Sequence, residues 1–142
     1  MLKFAACATF LLAATVGCVA SPGGATSAQA TQLCDGPGMD VARGMGGTSV
    51  SGAFASTAAE MIKWAAPGRS HIVTDPLTKM AGTSVVAFCY FDGSFGGVPQ
   101  PSGVNIDYGR ALFLVPESGA PILYEVGPKD GVAVLPPNQV AP

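Results

Sequence analysis

The sequence predicts an α+β domain in which one amphipathic helix packs on a small, mostly antiparallel sheet of four to five strands. Three observations predict it. Apolar residues recur at steps of three and four between Val50 and Ala65, the helical period. Residues 83–91 then form a run that is apolar on both faces, as a central strand requires. Finally, three short β-type runs follow residue 109, joined by links so short that neighbouring strands are expected to be antiparallel. An all-β meander with a stray helix is the alternative.

Composition permits such a core. Of 142 residues, 49% are hydrophobic and only 11% charged, against about 25% charged in an ordinary soluble domain. This excludes a charge-rich disordered chain. Seven Lys and Arg against nine Asp and Glu give a formal net charge of −2 without any block of like charge. The basic footprint of a nucleic-acid binder is therefore missing, and no nucleic-acid partner is expected.

Lys3 is the only charge before Asp35, and residues 4–17 are an unbroken apolar or small stretch. A positive start followed by such a stretch is the pattern of a signal peptide, here residues 1–17. A spanning helix needs about 20 apolar residues, more than this stretch provides. Ala14-Thr15-Val16-Gly17-Cys18 resembles a bacterial lipobox, with Thr15 where that motif carries Leu. The resemblance implies that Cys18 is acylated and becomes the mature N-terminus, its acyl chains being the only membrane contact. The competing expectation is secretion after cleavage at Ala28-Gln29-Ala30.

Residues 18–33 are small and polar and read as a flexible tether ahead of a single globular domain at 34–135. Gly36-Pro37-Gly38 and Gly44-Met45-Gly46-Gly47 read as flexible loop, since they lack the Lys-Ser/Thr of a phosphate-binding loop. The helix is expected to start at Thr48 or Ser49; Thr57-Ala58-Ala59-Glu60 also reads as a capping box, which would confine it to its second half. Pro67-Gly68 ends it. Residues 70–74, 83–91, 110–115, 121–126 and 132–135 read as strands, with a turn at Asp92-Gly93 and a loose tail at 136–142.

Four cysteines are present. With Cys7 in the signal and Cys18 at the anchor, Cys34 and Cys89 remain as an even pair in a compartment that permits disulfides, so they are expected to be bonded. Closing so long a loop is worth about 4 kcal/mol in the entropic account.

The single His71 is the residue that any acid–base reading has to use, with a Ser or Cys partner brought from elsewhere in the chain. One His and two cysteines do not complete a zinc site, and no cofactor is expected. Asp92, Asp107, Glu117, Glu125 and Asp130 fit turn or solvent-facing roles better than a paired-carboxylate centre. The Gly- and Pro-rich stretch 92–108 carries Phe95 and Tyr108. Exposed, these aromatics would form a binding loop; folded back, they would cover one edge of the sheet. The function expected is that of an exported envelope protein, a lipid-anchored binding or structural module without catalysis, with an envelope protein as partner. A small hydrolase using His71 and a disulfide-bonded protease-inhibitor-like module are the alternatives.

Overall fold

A computed structural model describes residues 26–65, 71–96 and 108–140. Helix α1 (Ser27–Leu33), a wider helical turn (Cys34–Gly38) and helix α2 (Met39–Gly44) lead into strand β1 (Gly47–Thr57). Helices α3 (Ala58–Ala65) and α4 (His71–Thr78) precede strands β2 (Val85–Phe95), β3 (Tyr108–Pro116) and β4 (Ile122–Gly127). The four strands form one antiparallel sheet in the order β1-β2-β3-β4, so the domain is α+β.

Strict alternation along the central strands builds two cores. Val86, Phe88 and Tyr90 of β2 and Leu112 and Leu114 of β3 point to the face that α3 and α4 cover. Ala87, Cys89 and Phe91, with Ala111, Phe113 and Val115, point to the opposite face, against Ala30, Cys34, Met39 and Ala42 of the α1–α2 segment. Both faces of β2 and β3 are thus buried, which explains why residues 83–91 lack polar alternation.

Seven local expectations are corrected. Residues 27–33, expected as part of a tether, form α1. Thr26 caps it: its hydroxyl accepts the Gln29 N–H at 3.3 Å, and the Gln29 side-chain oxygen accepts the Thr26 N–H at 2.9 Å. Small Ala30 then lets the helix lie close on the sheet, where the Cys34–Cys89 disulfide holds it. Residues 35–44, expected as loop, continue the helical path, bent at Gly36, whose ψ of −108° leaves the helical region just before Pro37.

Residues 47–57, expected as the first half of a helix, are β1. The register shift between Val50 and Gly52 puts Val50 and Phe54 on opposite faces of the sheet, so their four-residue spacing is not a helical one. The capping-box alternative is the one that forms: Thr57 Oγ1 accepts the Glu60 N–H and Glu60 Oε2 accepts the Thr57 N–H, each at 3.3 Å. Residues 71–78, expected to begin as a strand, are α4. The β-branched Ile72, Val73 and Thr74 suggest a strand locally, and burial of Leu77 in the α3–α4 core overrides them.

The turn expected at Asp92-Gly93 is strand, because β2 runs on to Phe95 with Gly93 paired to Gly47. Gly46, at φ +102°, takes a conformation that strains other residues, and a Cβ there would strike the Ser94 carbonyl.

Among the described residues, 132–135 join no ladder. They cross the α3–α4 face instead, burying Val132 and packing Val134 into the space above Gly52, where a Cβ would collide with Val134 Cγ1. Residues 136–140, expected as a loose tail, are fastened: the Tyr90 hydroxyl donates to the Leu135 carbonyl at 3.1 Å, and Trp64 Nε1 donates to the Val140 carbonyl at 2.9 Å.

Candidate functional site

Cys34 and Cys89 form a disulfide with Cα atoms 5.5 Å apart, and both residues are fully buried. Oxidised and enclosed, neither is a nucleophile. His71 opens α4, and its side chain lies outside the described residues, as does the whole of Cys18. Phe95, 2% exposed, sits in the α1–α2 core and pairs across the ladder with half-buried Tyr108, which packs against the same core. Residues 97–107, which join them, lie outside the described residues. Among the described residues no helix is long and apolar enough to cross a membrane, and no three His, Cys, Asp or Glu side chains gather as a metal site would need.

The most polar arrangement is structural. Asp92 accepts from Arg110 Nε at 2.7 Å and Nη2 at 3.3 Å and from Lys129 Nζ at 2.9 Å. Arg110 Nη1 also donates to the carbonyls of Lys129 and Val132, at 3.2 and 2.8 Å. The Arg110 guanidinium holds the Asp92 carboxyl well below the usual carboxylate range against the opposing effect of partial burial, with further help from Lys129. A carboxylate gripped on both oxygens is a poor base. The cluster's visible work is to fasten the segment after β4 to the centre of the sheet. Burial pushes the Tyr90 hydroxyl up from its ordinary value, with its bond to Leu135 pulling the other way. Among the remaining acids, Glu117 Oε1 accepts the Val85 N–H at 3.1 Å.

A groove of about 650 Å³ opens beside β1. Phe54 and Ser56 of β1 form its floor, α3 contributes Met61 and Trp64, and the Pro136-Pro137-Asn138 turn forms the far wall. Trp64 is held rigidly. Its ring meets Phe88 edge-on at 5.5 Å and Tyr124 at 4.9 Å, and its Nε1 is bonded to Val140. Ser56 donates to Glu60 Oε2 at 3.1 Å, the oxygen that also caps α3. No His or Cys lines the groove among the described residues, and its seryl hydroxyl faces a carboxylate already committed to a cap. A concave apolar surface of this size with a few polar rim groups is what binding sites look like.

Sequence reasoning assigned no role to Trp64 or Pro136-Pro137. The groove draws on β1, α3 and the chain end, and these meet only through the sheet; the one tryptophan and the Pro-Pro pair were the available signals. No protein-family model, curated protein or solved structure matches the chain. The disulfide and the lack of a membrane-spanning helix among the described residues are compatible with an extracytoplasmic protein.

Proposed function

We propose that the protein is an exported envelope protein, tethered by lipid on Cys18, which binds a partner in the groove beside β1 and performs no catalysis. The observation that carries the binding reading is the groove itself: an apolar concavity whose aromatic wall is locked before any ligand arrives, so that binding orders little. Export is supported by Lys3 and the apolar stretch 4–17 ahead of Cys18, together with a buried disulfide suited to an oxidising compartment.

Site-specific photo-crosslinking in intact cells tests this. A photoreactive residue at the exposed rim position Asn138 is expected to give a discrete adduct in the membrane fraction, whereas one at exposed Ser118, on the β3–β4 turn, gives none. Equal background from both positions contradicts the binding reading, and an Asn138 adduct found only in the medium contradicts the tether.

A further inference from the structure

We infer that β1 and the groove dock an extended, uncharged peptide strand of another protein, which adds to the sheet through its backbone and seats an apolar side chain against Trp64. This rests on the groove being the binding site and narrows it to one class of partner.

The first support is the open edge. β1 ends the sheet, and among the described residues no backbone group outside β2 bonds to Gly52–Ser56. An edge strand turns alternate N–H and C=O groups outward as a template for another strand. Both register shifts in β1 come before Gly52; from Gly52 opposite Tyr90 to Thr57 opposite Val85 the pairing is unbroken. The half of the edge that is regular enough to pair is also the half beside the groove.

The second support is how the groove meets that edge. Phe54, Ala55 and Ser56 all line it. Side chains alternate along a strand, and Phe54 belongs to the α3–α4 core while Ala55 packs against the other. A groove touched by all three runs along the backbone of β1, so its occupant meets main-chain donors and acceptors as well as Trp64.

Charge complementarity selects the occupant. Edge strands that avoid pairing carry charges, Lys above all, yet the eleven residues of β1 carry none, and Glu60 and Lys63 at the rim cancel. The complement is an uncharged strand. A second copy offering its own β1 does not supply the apolar side chain, because its large aromatic, Phe54, is already packed edge-on to Tyr90 at 6.3 Å as the groove floor.

The test uses the full mature chain, in which Trp64 is the sole tryptophan and reports on the groove by fluorescence. The probes are blocked heptapeptides of alternating Thr and Val with Phe or Leu at the centre. Each is also made N-methylated at odd or at even positions. A strand adds through one edge only, so one methylated form is expected to bind about tenfold more weakly while the other keeps its affinity. A central Lys is expected to weaken binding similarly.

Equal binding of both methylated forms overturns strand addition while leaving the groove a binding site. So does the absence of any peptide response where the Asn138 adduct still forms. A dimer in sedimentation that excludes the peptides makes a second copy the occupant and likewise overturns the inference. If neither adduct nor peptide binding is seen, the proposed function fails with it.

Discussion

Asp92 shows how one residue ties distant segments together. It lies on β2, and its partners are Arg110 of β3 and Lys129 beyond β4. Because its folded-state carboxyl is held below the ordinary value by Arg110, its contribution to stability is present above the unfolded value of about 3.9 and is lost as pH falls through the folded one. Asp92→Asn is expected to lower stability by about 2 kcal/mol at pH 7 and to flatten this group's share of the acid dependence. Denaturant midpoints at pH 7 and pH 3 check this. A variant as acid-sensitive as the parent chain, starting from the same midpoint, goes against it. Sequence reasoning placed Asp92 in a turn, because Asp-Gly is a turn signal by itself; the pairing with Arg110 is visible only once β2 and β3 are in register.

Among the elements, legibility followed how much of the fold each one carries locally. β2, β3 and β4 were read from sequence within a few residues because their apolar runs are bounded by turns, and the Thr57 capping box located the start of α3. α1 and α2 were not legible, since their packing depends on small side chains and a disulfide to a strand far along the chain. β1 was not legible because its bulges disguise the period of two, and residues 132–140 were not because they are fastened by Tyr90 and Trp64 rather than by a ladder. Gly52→Ala probes the last of these. A new Cβ meets Val134, so the variant is expected to lose about 1–3 kcal/mol by overpacking, with a changed Trp64 environment as the C-terminal segment lifts. Unchanged unfolding and an unchanged Trp64 emission spectrum contradict this account of the groove wall.

For the whole molecule, the architecture is a sheet held between two helical layers, one of which is covalently fixed to it. The disulfide closes a separation of 55 residues, worth about 4 kcal/mol in the entropic account. That is a large share of the stability of a domain this size. The α1–α2 layer contributes mostly small side chains to its core, so the covalent tie supplements what burial there provides. Such a design suits a compartment where thiols stay oxidised, which links the fold to the proposed export and leaves the other face of the sheet to shape the groove. The site was therefore the least legible feature of all: its floor, wall and rim come from elements that the sequence separates, and none carries a motif.

The most direct test of the account is the intact mass of the protein recovered from its own cells, measured in membrane and medium fractions, with and without reduction. A membrane-bound species that begins at Cys18, carries acyl chains and gains a hydrogen on each of two sulfurs on reduction is expected. A chain that retains residues 1–17, or one whose Cys34 and Cys89 thiols are free before any reductant is added, would contradict it.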